Sequence, residues 1–195
     1  MSDLLVAAPM RVEAALISSA ARGSLVRKTG MGPRRARLAA EDLGGQAAGA
    51  MLVLGFCGGL DESSVPGEVI VAEEVYAAAD ENQALEPIVC DLATPLLGRL
   101  TGLGLKVRTG RVVCVSKLAL GERRAELHAE GAIAVDMESV WLAGGARGRP
   151  FGVVRVVLDS PSHELMRPRA VGGALRAAAA LRKVAAALHE WAPAD

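Results

Sequence analysis

The sequence is poor in aromatic residues and carries no net charge, and each deficit excludes a class of partner. Only 3% of the 195 residues are Phe, Trp or Tyr, which leaves few side chains on which nucleic-acid bases could stack. The 22 basic residues are balanced by 22 acidic residues, so no overall field draws the chain to nucleic acid or to an anionic membrane. We therefore expect no nucleic-acid partner.

Long apolar runs and paired cysteines are missing as well. No segment reaches the roughly 20 apolar residues that a membrane span needs, and the first residues lack the basic start of a secretory signal. The three cysteines are widely separated and odd in number, which is typical of reduced thiols in the cytoplasm. Neither they nor the three histidines have metal-ligand spacing. We expect a cytoplasmic protein without a membrane span, a metal or another cofactor.

Short apolar runs alternate with amphipathic segments along the whole chain, which is the pattern of strands and helices in turn. Strands are predicted at residues 4–8, 25–29, 51–55, 68–76, 107–115, 133–135 and 150–158. Helices are predicted at residues 12–21, 33–43, 90–103, 122–130, 137–146 and 168–191. The alternation predicts one α/β domain over residues 1–195, a three-layer α/β/α fold with a mixed, mostly parallel central sheet flanked by helices. Residues 55–59 are expected to form a glycine-rich turn, and 80–87 a loop.

Carboxylates stand at the ends of two predicted strands. Asp136 and Glu138 follow the strand at 133–135, and Asp159 follows the strand at 150–158. Ligands of open α/β sheets bind beyond the carboxyl ends of strands, where an ionisable group is costly unless it is used or paired. Because Asp136 suits a helix cap, Glu138 and Asp159 are the stronger candidates for a cleft. The plain structural alternative for Asp159 is the cap of a turn.

Two glycine-containing segments are further candidates. Gly32 and its neighbours precede a predicted helix, where backbone N–H groups can bind an anion. The alternative is that these glycines only form an ordinary tight turn. The glycines of 55–59 allow a ligand to approach the backbone, and Phe56 could form one wall of a pocket. Within that segment we expect Cys57 to be a packed side chain and not a nucleophile.

Arg11 and Glu13 lie just past the end of the first predicted strand. An arginine there could hold a phosphate, and a carboxylate could accept a proton from water. Charged side chains are also common in the first turn of a solvated helix, so position alone does not decide between these interpretations.

Together these pieces resemble the purine nucleoside phosphorylase and nucleosidase superfamily, which includes methylthioadenosine/S-adenosylhomocysteine nucleosidase. The likeness runs in order over nearly the whole chain. The matching positions are Glu13, 29–32, 55–60, 66–71, 135–138 and Asp159. The segments 58–61, 136–139 and 155–161 are most similar to the hopanoid-associated branch, which is thought to remove adenine from adenosylhopane.

The resemblance implies cleavage of the N-glycosidic bond of a purine nucleoside through an oxocarbenium-like ribose. Asp159 would donate a proton to N7 of the base, and burial is expected to keep its carboxyl group neutral. Glu138 would bind the ribose 2′- and 3′-hydroxyls with Met137 under the sugar, and Glu13 would activate water.

Further contacts are implied on the side of the base. The resemblance places Phe56, Cys57 and Gly58 in the substrate site. Leu118 falls near the position where nucleosidases stack a phenylalanine on adenine.

The resemblance leaves the nucleophile open. In a phosphorylase, phosphate would be a co-substrate, held by Arg11 and the N–H groups near Gly32. The segment 55–59 lacks a phosphate-binding arginine, which favours hydrolysis. We expect a homo-oligomer, with a dimer favoured. A nucleoside-binding or sensor protein without catalysis is the alternative.

Overall fold

Eight strands of the computed structural model form one sheet, in a structure that describes residues 4–79, 86–163 and 170–188. The strands are β1 Leu4–Ala8, β2 Leu25–Lys28, β3 Ala50–Gly59, β4 Val69–Ala77, β5 Ile88–Val89, β6 Val107–Cys114, β7 Ala132–Asp136 and β8 Phe151–Asp159. The helices are α1 Arg11–Ser18, α2 Pro33–Gly44, α3 Ala93–Thr101, α4 Glu122–Ala129, α5 Ser139–Leu142 and α6 Ala170–Ala187. A short 3₁₀ helix, Ala143–Ala146, continues α5.

The sheet is mixed. Its strand order is β2-β1-β3-β7-β6-β4-β5, and β8 pairs with both β3 and β4. The β1–β2, β1–β3, β3–β8, β4–β6 and β6–β7 pairs are parallel. The β3–β7, β4–β5 and β4–β8 pairs are antiparallel. The predicted mixed, mostly parallel sheet is confirmed.

Helices cover both faces of the sheet because successive strand residues point to opposite sides. In β1, Leu4 belongs to the core that contains Ile17 of α1 and Leu181 of α6. Its neighbour Leu5 belongs to the opposite core, which contains Leu142 of α5. The predicted three-layer α/β/α architecture is therefore confirmed. None of the helices among the described residues is long and apolar enough to cross a membrane.

The predicted glycine-rich turn at 55–59 is wrong, because these residues complete β3. They continue the pairing with β8 as far as Gly58 opposite Asp159, with a shift of register after Cys57. The glycines serve close packing: a Cβ on Gly59 would collide with the side chain of Ser64. Glycine marks a crowded strand as readily as a turn.

Two predicted helices begin later than expected. The segment 90–103 reaches helical geometry only at Ala93, after the two-residue strand β5. The segment 137–146 reaches it at Ser139, because the Asp136 carboxylate accepts the N–H groups of Glu138 and Ser139 and bends the chain there. The long closing helix is confirmed over Ala170–Ala187. Residues 80–85 of the predicted loop, and 168–169 and 189–191 of the predicted closing helix, lie outside the described residues.

Candidate active site

A fully buried guanidinium lies at the centre of the site. Arg155 stands in the middle of β8, and its Nη2 lies 2.5 Å from Asp136 Oδ2 and 3.8 Å from Glu138 Oε2. Nη2 also donates to the Ser139 hydroxyl at 2.9 Å. Burial alone would lower the pKa of Arg155, but the two carboxylates raise it further than burial lowers it. Arg155 therefore remains a cation inside the core. Its signal in the sequence is a single charge within the otherwise apolar run 151–158, for which the motifs predict no role.

Glu13 reaches the same place from the first turn of α1. Its side chain is buried and accepts the N–H groups of Met10 and Phe56, both at 2.6 Å. Burial raises the pKa of Glu13, opposed by Arg155 and by these two hydrogen bonds. The result is a carboxylate that accepts a proton more readily than an exposed glutamate does.

Gly55 permits this approach. A Cβ at position 55 would lie 2.6 Å from Glu13 Oε1 and 2.9 Å from Arg155 Nη1, both shorter than any normal contact. The two charged groups therefore face each other across a strand residue without a side chain. This gives one glycine of the segment 55–59 a role at the site.

Two carboxyl groups at the end of β7 have pKa values that are shifted in opposite directions. Burial acts to raise the pKa of Asp136, but Arg155 and the hydrogen bonds that Asp136 receives lower it below its usual range. Burial and, after it, the charge of Asp136 raise the pKa of Glu138 to about 7, although Arg155 opposes them. Near neutral pH the cluster therefore gains or loses one proton at Glu138.

Glu138 is fixed by a contact that no local pattern indicates. Its Oε1 accepts the backbone N–H of Gly32 at 2.8 Å, across 106 positions of sequence. The N–H that we expected to receive phosphate is thus engaged by a carboxylate, which would repel an anion. Arg11, the other predicted phosphate ligand, is exposed on α1.

Asp159 ends β8 and forms a buried ion pair. Its Oδ2 lies 2.7 Å from Nη2 of Arg124, which comes from α4, and the two side chains are 9% and 4% exposed. The residue predicted to act as the acid thus lies within hydrogen-bond distance of a buried guanidinium. Arg124 is a second site residue that sequence reasoning missed, because its charge lies within a helix that carries charges of both signs.

A small cleft opens beside this ion pair. Its other lining residues are Gly58, Val115, Leu118, Ala119, Val135, Asp136 and Met137. Its volume is about 40 Å³, far below the range of roughly 300–1,000 Å³ for sites that take a drug-sized ligand. Leu118 is 66% exposed, and Met137 leads directly to Glu138. In this conformation the cleft is too small to enclose a whole heterocyclic base.

Phe56 and Cys57 are placed differently from the expectation. Phe56 packs against the core, and it is its backbone that serves the site, by donating to Glu13 and accepting from Arg155 Nη1 at 3.4 Å. Cys57 is buried in the opposite core cluster, and burial raises the pKa of its thiol. Cys57 is therefore packed, as predicted, and does not line the cleft.

No group of three or more His, Cys, Asp and Glu within residues 4–79, 86–163 and 170–188 is arranged to hold a metal ion. The cation among the clustered carboxylates is Arg155 itself. The arrangement can activate a small nucleophile, bind hydroxyl groups and stabilise positive charge on a ligand.

Comparison with known proteins identifies the family. A family model described as "Phosphorylase superfamily" matches residues 20–188, and the chain belongs to this superfamily. The expected resemblance is thereby confirmed. AMP nucleosidase of Escherichia coli strain K12 is 28% identical over 171 residues, which cover 76% of this chain and 35% of that protein. The chain thus spans about a third of the length of the curated relative.

Solved structures share the fold. The 5′-methylthioadenosine/S-adenosylhomocysteine nucleosidase of Neisseria meningitidis, in complex with methylthio-immucillin-A, gives a TM-score of 0.76 at 19% identity, covering 96% of this chain and 98% of that one. The corresponding nucleosidase of Colwellia psychrerythraea, in complex with adenine, gives 0.77 at 18% identity and covers 95% of both chains. That of Helicobacter pylori gives 0.77 at 16% identity and covers 96% of both.

Proposed function

We propose that this chain hydrolyses the N-glycosidic bond of an adenine nucleoside. The observation that carries the proposal is the cluster of Glu13, Asp136 and Glu138 around Arg155, next to a small cleft lined by Asp159. The relatives named for nucleosidase activity, on AMP or on methylthioadenosine and S-adenosylhomocysteine, support the same reaction class.

Glu13 is the proposed general base. Its two backbone hydrogen bonds fix the carboxylate, and its raised pKa favours proton uptake from a water molecule. Arg155, across Gly55 from Glu13, holds the opposite charge and stabilises the hydroxide character that develops as the proton leaves.

Glu138 is the proposed ribose ligand. Its Oε1 is held by the Gly32 N–H, and its neighbour in sequence, Met137, lines the cleft. A carboxylate beside the sugar accepts hydroxyl hydrogens and favours the positive charge of an oxocarbenium-like ribose. Asp136 and Ser139 hold the Arg155 guanidinium in place behind it.

Water suits this cluster better than phosphate. Three carboxylates surround one guanidinium, so an added phosphate would meet excess negative charge. The Gly32 N–H is already taken by Glu138. Hydrolysis is therefore the proposed reaction, and phosphorolysis is the outcome that the assay must exclude.

The test is release of free base from adenosine, inosine, methylthioadenosine and S-adenosylhomocysteine, each with and without phosphate. We expect base release without phosphate. Glu13→Gln should lower kcat about 10²- to 10⁴-fold, the usual contribution of a general base. Glu41→Gln, an exposed substitution on α2 with the same charge change, is the matched control. An adenosine with a bulky apolar 5′ group belongs in the series, because the hopanoid-associated branch would require it.

Three outcomes would contradict the proposal. Release only with phosphate would make the chain a phosphorylase. Binding of a nucleoside without base release would support the sensor alternative. Full activity of Glu13→Gln would remove Glu13 from the mechanism. The mass of the purified protein in solution would test the expected dimer in the same preparation.

A further inference from the structure

Cys114 ends β6 directly beside Asp136. The two residues are paired in the parallel β6–β7 register, and the Cys114 side chain is fully buried. Its Sγ lies 2.8 Å from Asp136 Oδ1 and accepts the backbone N–H of Val140 at 3.2 Å. The thiol therefore joins the end of β6 to the carboxylate that ends β7 and to α5.

The thiol is the donor in its contact with Asp136. Burial and, after it, the charge of Asp136 raise the pKa of Cys114, so the sulfur keeps its proton near neutral pH. The pKa of Asp136 lies below its usual range despite burial, so its carboxylate can only accept hydrogen bonds. A hydrogen bond to an ionised acceptor is roughly twice as strong as one between neutral groups. The contact therefore restrains the carboxylate.

The donors around Asp136 divide its two oxygens between two tasks. Oδ1 accepts the N–H groups of Glu138 and Ser139 besides the thiol, whereas Oδ2 accepts the Ser139 hydroxyl and pairs with Arg155 at 2.5 Å. Among the described residues, Cys114 is the one donor to Oδ1 that comes from another strand. The terminal torsion of an aspartate has a broad preference, so donors on both oxygens are needed to fix its plane. The thiol thus helps to direct Oδ2 toward Arg155.

The orientation of Asp136 matters because Arg155 has competing partners. Glu138 Oε2 lies 3.8 Å from Nη2 of Arg155, and Glu13 faces Nη1 across Gly55. A guanidinium released by Asp136 would move toward these carboxylates, since opposite charges attract strongly in a buried site. The hold of Asp136 on Arg155 therefore sets the spacing of the whole cluster.

We propose that Cys114 is a positioning residue of the active site: its thiol orients the Asp136 carboxylate so that this group holds Arg155 at the centre of the cluster. This inference rests on the proposed function. Cys114 is fully buried and does not line the cleft, so it acts on the reaction only through Asp136.

Turnover of three variants tests the positioning role. Cys114→Ala removes the donor, Cys114→Ser keeps a hydroxyl donor, and Cys90→Ala removes a thiol buried in the same core cluster. With each protein folded at the assay temperature, we expect Cys114→Ala to lower kcat at least about tenfold, because small displacements of catalytic groups cost up to about 10²-fold. Cys114→Ser should recover most of that loss, and Cys90→Ala should keep the wild-type kcat. Wild-type kcat in Cys114→Ala, or an equal loss in either other variant, would overturn the proposal.

The pH dependence of unfolding is a readout that a cavity in the core would not move. The groups that act on the titration of Glu138 are Asp136, Arg155, Glu13 and the Gly32 N–H. Freed from Asp136, Arg155 would approach Glu138 and lower its pKa from about 7. Because stability is lost between the unfolded-state and folded-state pKa values, a lower folded-state value leaves less to lose. The shift of the urea midpoint between about pH 5 and pH 8 should therefore be smaller in Cys114→Ala than in the wild-type protein, and an unchanged shift would overturn the proposal.

Infrared spectroscopy tests the hydrogen bond itself, without turnover. The S–H stretching band that is lost in Cys114→Ser should lie at lower frequency than the band lost in Cys90→Ser, because a carboxylate acceptor weakens the S–H bond. Bands of equal frequency would overturn the proposal. This comparison remains possible even if Cys114→Ala does not fold.

Failure of this inference is distinguishable from failure of the proposed function. If the wild-type protein releases no base but the infrared and urea results are as expected, Cys114 orients Asp136 and the hydrolase proposal fails. If the wild-type protein releases base and Cys114→Ala matches it in kcat and in pH dependence, hydrolysis stands and the positioning role fails.

Discussion

Replacing Glu138 by glutamine should remove a large part of the pH dependence of folding. Glu138 is 5% exposed, and burial, followed by the charge of Asp136, raises its pKa from 4.5 to about 7. In the unfolded chain, neither burial nor the charge of Asp136 raises the pKa of Glu138. Between these two values the folded protein holds a proton that the unfolded chain has released.

The sign follows from that difference in bound protons. Because the folded state binds more protons, the free energy of unfolding falls as the pH rises from the unfolded-state pKa to the folded-state pKa of Glu138. The stabilisation by this proton is complete only below the unfolded-state pKa. At about 1.36 kcal/mol per pH unit, the interval between 4.5 and 7 corresponds to roughly 3 kcal/mol. A glutamine side chain at this position would be neutral throughout, so the variant should be more stable than the wild-type protein on the alkaline side.

Urea unfolding of both proteins at about pH 5 and pH 8 measures this directly. With a slope of about 2–3 kcal/mol per molar urea, the wild-type midpoint should fall by roughly 1 M between the two pH values. The midpoint of Glu138→Gln should move much less, with a remainder from Glu13, whose raised pKa acts in the same direction. Glu41→Gln should follow the wild-type protein. If Glu138→Gln shows the wild-type pH dependence, Glu138 does not carry the titration and the cluster is charged differently from the description above.

Three further outcomes follow from the same geometry. Gly55→Ala should lower kcat about 10²-fold with substrate binding retained, because its methyl group displaces Glu13 and Arg155 by a fraction of an ångström; wild-type turnover would contradict this. Arg155→Met should cost roughly 3–5 kcal/mol in urea unfolding by leaving buried carboxylates unpaired, and Arg155→Lys clearly less. A thiol reagent should label the native protein slowly and the unfolded protein fully, since burial raises the pKa of all three thiols; rapid native labelling would show that the core opens. The thiols are those of Cys57, Cys90 and Cys114.

The sequence was sufficient to place the acids, because strands and helices have strong local periodicities. It was insufficient for their partners, because partners are chosen by tertiary contact. Glu138 meets Gly32 across 106 positions, and Asp159 meets Arg124 across 35. The sequence also does not distinguish a buried charge from an exposed one. Arg124 is buried, whereas the neighbouring Arg123 lies on a more exposed face of α4.

Strand direction was equally beyond local reasoning. The expectation that acids at the ends of two strands line a cleft came from sheets whose strands run the same way, as β3 and β8 do. Instead β7 runs antiparallel to β3, with Val135 opposite Gly58. Asp136 therefore arrives beside β3 from the other direction, close enough for its carboxylate to reach Arg155 in the middle of β8. The acids converge for a different reason from the one that the sequence suggested.

For Asp159, too, the sequence predicts the position of the residue but not its chemical role. Position in the sequence establishes that a carboxyl group ends β8 near a cleft, but the reaction it can perform depends on its neighbours. The carboxyl group of Asp159 is not isolated: its Oδ2 lies 2.7 Å from the Arg124 guanidinium, a partner that the sequence did not indicate. The pH dependence of kcat should report Glu13 and Glu138, whose pKa values are raised, and a profile without a limb near neutral pH would contradict the role of Glu138.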